Sequence, residues 1–125
     1  MKKIISTTNA PKAVGAYSQA VEANGTLYIS GQLPVNPETS KFVDGGIREQ
    51  TAQCLKNIEA ILAAAGYTID NVVKSTVLLD NINDFAAMNE VYAQFYTTNP
   101  PARAAFEVAN LPLGALVEIE TIAVK

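Results

Sequence analysis

Apolar residues recur along this chain with two periods. Between Ile47 and Gly66 the residues Ile47, Thr51, Leu55, Ile58, Leu62 and Ala65 step by three or four, which sets them on one face of a helix. Asp44 is placed to cap its start, and Gly66 to close it in the left-handed position that glycine favours. A second stripe, Phe85, Met88, Tyr92 and Phe95, predicts a helix over "NDFAAMNEVYAQFYTT", capped by Asn83 or Asp84. Asn89 follows Phe85 by one turn and so sits on or beside that stripe, where a polar amide needs partners.

Elsewhere the pattern is that of strands. "KKIIS" is a short candidate, and "PKAVGAYSQA" reads as loop. Apolar arms flank Asn24-Gly25, a strong hairpin signal, with the second arm running from Thr26 to Ser30 and ending at Gly31. Pro34 to Gly46 is rich in turn residues and reads as loop. "NVVKSTVLLD" is dense in β-branched residues, "PPARAAFEVANL" opens on prolines and continues small and apolar, and "LVEIETIAVK" alternates. The expected order is β-β-β-α-β-α-β-β in one domain over residues 1–125. Two helices cannot cover both faces of a sheet of five or six strands. An α+β fold is expected, a mixed sheet with both helices on one face and the other face left for something else.

Composition narrows the chemistry. With 125 residues, 49% of them hydrophobic and 17% charged, the chain has enough material for a core and too little charge for disorder. So low a charged fraction on a small surface points to cover by partner subunits. The net charge of −3 and isoelectric point near 4.8 leave no basic footprint for nucleic acid or anionic lipid. No apolar run reaches the ~20 residues of a membrane span, and "MKKIISTTNA" lacks a signal-peptide core, so a cytoplasmic protein is expected. Cys54 is the only cysteine, beside the first helix stripe, and reads as a small packed hydrophobe. Histidine is absent, which removes imidazole bases and His-ligated metal sites.

Arg103 then stands out, a permanent charge with a planar fork of donors at the head of an apolar strand. If that strand pairs antiparallel with "LVEIETIAVK" through the Leu-Pro-Leu-Gly loop, partners on a common face sum to an odd number. Glu118 and Glu120 satisfy that parity with Arg103, so a guanidinium and one or two carboxylates are expected on the same sheet face. Either the arginine pairs with a glutamate, or its fork is free for a ligand carboxylate while a glutamate handles water or a proton. Spacing leaves both open.

Several blocks occur in one order: "VGAYSQA", "YISGQLPVNP", "NDFAAMNEVY", "PARAAF" followed by "EVANL", the spacer "PLGAL", "VEI", and "IETIAV". On these blocks the chain resembles the RidA (YjgF/YER057c/UK114) family of enamine and imine deaminases over essentially its whole length. The resemblance implies a chorismate-mutase-like fold and a homotrimer whose sheets line a central barrel, with ligand clefts between subunits. It implies that Arg103 binds the substrate carboxylate and Glu118 positions the attacking water. Tyr17 would line the cleft, Ser30 and Gly31 would offer polar and backbone contacts, and Asn89 would reach in from the second helix. Many relatives carry a cysteine two residues after the arginine; here Ala105 leaves only backbone at that point, and Glu120 is implied to be structural. Gly15-Ala16-Tyr17 replaces a common Gly-Pro-Tyr, and the stretch before "PPAR" is short by a few residues, departures that bear on substrate preference.

The implied reaction is hydrolysis of 2-aminoacrylate, 2-aminocrotonate and their imines to 2-oxo acids and ammonia, with no metal or organic cofactor. A trimer that binds 2-oxo acids without turnover is the alternative. Some members are described as ribonucleases or translation inhibitors, which the acidic charge and missing histidine argue against.

Overall fold

The computed structural model describes residues 1–125. Six strands form one mixed sheet in the order β1 (Lys3–Ile5), β2 (Ala20–Ala23), β3 (Thr26–Gln32), β8 (Val117–Val124), β6 (Val72–Leu79), β7 (Ala102–Glu107). Both helices, α1 (Ile47–Ala64) and α2 (Phe85–Phe95), pack on one face, as the helix count required. The alternation of β8 sets the layers. Val117, Ile119, Thr121 and Ala123 are buried toward the helices, against Leu55, Ile58, Leu62 and Met88. The intervening Glu118, Glu120, Ile122 and Val124 look onto the open face. That open face exposes large apolar groups, among them Tyr28, Phe106 and Val124.

Asn24 and Gly25 both adopt positive φ, 52° and 73°, and turn β2 into β3 as the sequence predicts. Gly66 closes α1 at φ 78°. Three local expectations need correction. The stretch 34–46 contains a small hairpin, β4 (Val35–Asn36) with β5 (Lys41–Phe42), too short for any periodicity to register. α1 is started by Gly46 rather than Asp44, its N–H donating to Glu49 Oε1 at 2.8 Å. At α2 the capping side chain is Asn81, which accepts from Asn83 N–H in the preceding turn, while Asp84 makes no cap bond.

The larger correction concerns β7. It does not pair with β8 but runs parallel to β6, reached by the crossover through α2, and β8 lies between β3 and β6. The physical reason is burial. β8 carries no charge on its helix-facing side, only Val117, Ile119, Thr121 and Ala123, and repays a central position with two neighbours. β7 carries Arg103 and Glu107 on that side, and at the sheet edge both charges reach solvent. Across the sheet Arg103 is in register with Ser75, and Ser75 with Thr121, so Arg103 lies on the helix face. Glu118 is in register with Leu78 and Glu120 with Thr76, on the open face. The expectation that Arg103 and the glutamates share a face is overturned.

Candidate functional site

On the open side, a groove of about 970 Å³ runs between the bulge in β3, the start of β8 and the segment that precedes β2. Its floor is Ser30, Gly31 and Glu118, and Tyr17 and Leu113 stand on its walls. The β3–β8 register slips between Ile29 and Gln32, and this bulge brings Gly31 backbone under the Glu118 side chain. A Cβ at Gly31 would collide with a Glu118 carboxylate oxygen and lie 3.0 Å from Cδ, so only glycine lets the carboxylate rest there. Burial, with the nearby Glu120 charge as the lesser cause, pushes the Glu118 carboxyl above its ordinary range. The upward direction is the one that strengthens a carboxylate as a proton acceptor.

Ser30 Oγ donates to Ser18 C=O at 2.6 Å, so toward a ligand it acts as an acceptor. Tyr17 is half-exposed at the rim, its phenol oxygen accepting Val14 N–H at 3.3 Å. The wall itself depends on a residue that pattern reading passed over. Gln19 is buried; its Nε2 donates to the carbonyls of Thr7 (3.0 Å) and Pro11 (2.8 Å), and its Oε1 accepts Thr7 N–H at 2.7 Å. A single amide thus ties residues 7–11 to the base of β2. The one available signal was a glutamine between a proline-containing loop and a strand, which is too common to single out.

Arg103 lies across the sheet from this groove. Its guanidinium carbon sits 4.7 Å from the ring centre of Tyr92 and 5.4 Å from that of Phe85, and its NH1 donates to Asn89 Oδ1 at 2.7 Å. The chain's one ion pair is Arg48–Glu90 on the surface; no carboxylate lies within 4.0 Å of Arg103. Pairing with Glu118 or Glu120 is therefore excluded within one chain. Asn89, expected to reach a ligand from α2, has its oxygen engaged by the arginine and keeps its NH₂ free. Ala105, on the same face two residues along β7, is half-buried against the core. Within one chain, then, Tyr17, Ser30, Gly31 and Glu118 come together, Arg103, Asn89 and Ala105 come together, and the two groups are on opposite faces.

Other reactive groups are accounted for by packing. Cys54 is fully buried, its Sγ 3.8 Å from Val117 C=O, and burial pushes its thiol up, so it is a packed group and not a nucleophile. No three His, Cys, Asp or Glu side chains converge to hold a metal ion. No helix is long and apolar enough to cross a membrane.

Comparison with known proteins agrees with the fold. The family model described as Endoribonuclease L-PSP matches residues 7–125. The chain is 54% identical to a RutC family protein of Pyrococcus horikoshii, covering all of this chain and 99% of that one. It is 52% identical to a protein of Rattus norvegicus named 2-iminobutanoate/2-iminopropanoate deaminase, covering all of this chain and 91% of that one. A crystal structure of YyfA from Yersinia pestis, described as of the Rid protein family and of unknown function, superposes with a TM-score of 0.97 at 51% identity, over the full length of both. The blocks read from the sequence, the mixed sheet with two helices on one face and these full-length matches agree, and the chain belongs to the RidA (YjgF/YER057c/UK114) family.

Proposed function

We propose that the protein hydrolyses small 2-imino acids to 2-oxo acids and ammonia, in clefts completed between the subunits of a homotrimer. In this reading Arg103 of one subunit clamps the substrate carboxylate and Glu118 of a neighbour positions the water. The observation that carries it is Arg103 itself, a half-buried guanidinium held by stacking and one amide, with no carboxylate of its own chain to neutralise it. Leaving such a charge unpaired is costly unless a ligand uses it. The opposed placement of Arg103 and Glu118 makes the site incomplete in a single chain. The apolar open face is the surface that neighbours would cover.

The chemistry fits these groups. The imine of a 2-imino acid carries its carboxylate one carbon from the C=N carbon. Two parallel N–H···O bonds from Arg103 fix the plane of that unit. Glu118 accepts a proton from water as the water oxygen attacks the C=N carbon, and a carbinolamine forms. That proton goes to the imine nitrogen and completes the carbinolamine; the hydroxyl proton then passes through Glu118 to the same nitrogen, the C–N bond breaks, and ammonia leaves as the carbonyl closes. The raised affinity of Glu118 for protons suits it to both halves of that transfer. The reaction is downhill without help, so orientation carries most of the acceleration. The name of the 52%-identical rat protein supports this reading. The endoribonuclease in the family description would need a basic footprint for phosphates, which a chain of net charge −3 does not provide.

The test couples a pyridoxal-phosphate dehydratase, which releases the imine, to this protein and follows imine decay. Decay that accelerates in proportion to added protein supports the proposal. Unchanged decay, with 2-oxobutanoate still bound through Arg103, would mean a binding trimer and overturn it.

A further inference from the structure

Phe85, Asn89, Tyr92 and Tyr96 recur along α2 and its end at steps of four, three and four, so the amphipathic stripe that packs the helix also meets the sheet edge at Arg103. Two aromatic rings lie against the guanidinium, and Asn89 takes one of its N–H groups. The remaining N–H groups have no partner in the chain. Behind the arginine, Tyr92 packs on Tyr96 with ring centres 4.6 Å apart and planes at 35°. Ser75, the strand neighbour of Arg103, and Thr121 beyond it complete a layer of buried hydroxyls. None of these four hydroxyls makes a well-formed hydrogen bond, although Ser75 faces both phenols closely enough to ease their ionisation slightly. Burial outweighs that and keeps both phenols protonated and neutral.

We propose that Tyr92 and Phe85 are positioning residues that hold the Arg103 fork in plane for a carboxylate without neutralising it. The proposal rests on the reading of Arg103 as the carboxylate clamp. An acidic seat would orient the guanidinium equally well but would compete with the ligand for the same donors. A ring face attracts the cation through its quadrupole and occupies none of the N–H groups. The seat is therefore all neutral: two π faces, one amide oxygen and, behind them, a layer of buried hydroxyls. Nothing in it draws the fork away from an incoming anion. Arg103 is on an edge strand, where a flexible side chain would otherwise sample many rotamers and lose part of each ligand contact to entropy.

The experiment measures the affinity of the assembled, full-length protein for 2-oxobutanoate by calorimetry, with KM and kcat for the coupled imine reaction. The variants are Tyr92→Leu, Tyr92→Phe and Phe85→Leu, and Tyr92→Leu combined with Arg103→Ala. Loss of the ring in Tyr92→Leu is expected to weaken binding and raise KM roughly 3- to 30-fold, the range of a desolvated cation–π contact, with a smaller change in kcat. Tyr92→Phe keeps the ring and should keep wild-type affinity. In the Arg103→Ala background Tyr92→Leu should cost nothing further, because its effect passes through the arginine. A folded Tyr92→Leu protein with wild-type affinity, or losses that add in the double variant, would overturn the proposal. Should Tyr92→Leu not fold, Phe85→Leu, at a half-buried position, carries the same expectation and the same refutation. If Arg103→Ala alone leaves affinity unchanged, the clamp reading fails and takes this proposal with it, a pattern distinct from failure of the seat.

Discussion

Replacing Arg103 by lysine keeps the charge and removes the fork, and the surroundings of the side chain set what that should do. In its own chain Arg103 makes one hydrogen bond, to Asn89, and stacks on Tyr92 and Phe85, with no ion pair. Losing one partly exposed hydrogen bond and weakening the stacking should cost about 1–2 kcal/mol of stability, because no partner charge is stranded. The catalytic loss should be larger. Two charge-assisted bonds to a substrate carboxylate amount to about 2–4 kcal/mol, or roughly 30- to 1,000-fold in kcat/KM. Arg103→Lys should therefore be nearly as damaged as Arg103→Ala, while both melt within several degrees of wild type. The coupled imine-decay assay, run beside thermal melts of the same preparations, measures both quantities. A lysine variant with near-wild-type turnover would refute the bidentate clamp. Activity falling only in step with thermal stability would show that the arginine is structural.

Three further outcomes follow from the groove and the core. Glu118 binds its proton more tightly in the folded chain than unfolded, so the fold loses stability as pH rises from the ordinary carboxylate range through the raised one. Glu118→Gln should then melt higher than wild type at neutral pH, with the difference closing in acid, and the acid limb of the wild-type activity profile should lie above the ordinary glutamate range. Gly31→Ala should displace the Glu118 carboxylate and lower turnover on the order of 10- to 100-fold with little change in melting, since the backbone there accepts a side chain and the carboxylate does not. Cys54→Ala should cost ~1 kcal/mol in denaturant unfolding and leave turnover within a few-fold.

How much of this was legible in the sequence depended on how local the determining interactions are. The stripes of α1 and α2, the Asn24-Gly25 turn and the alternation of β8 are local patterns, and each appears in the structure where the pattern put it. The partner of β7 is not local. Parity fixes which residues share a face within a strand, but the neighbour is chosen by the crossover through α2 and by the burial value of β8, which no short window contains. The site divides similarly. Arg103 stood out as an expensive group at the head of an apolar strand, and Glu118 and Glu120 as charges in an alternating one. Their opposed faces followed only from the sheet order. Tyr17, Ser30 and Gly31 came from family blocks and not from spacing, and Gln19 and the Tyr92 seat had no distinguishing local signal. Asn89 was placed on the helix stripe with a need for partners, and its partner is the arginine.

The central claim is that Arg103 and Glu118 act in one cleft although one chain cannot bring them together, and mixing two inactive variants tests it directly. Arg103→Ala and Glu118→Gln proteins are each expected to be nearly inactive in imine decay. Dissociated, mixed in equal amounts and reassembled, they should regain activity. A cleft that draws its arginine from one subunit and its glutamate from the next is intact when the first is the Glu118→Gln chain and the second the Arg103→Ala chain, which is about one quarter of clefts in random trimers. The mixture should therefore recover about one quarter of wild-type turnover per subunit. Recovery no greater than the sum of the two variants, with mixed trimers verified by mass, would contradict the shared cleft.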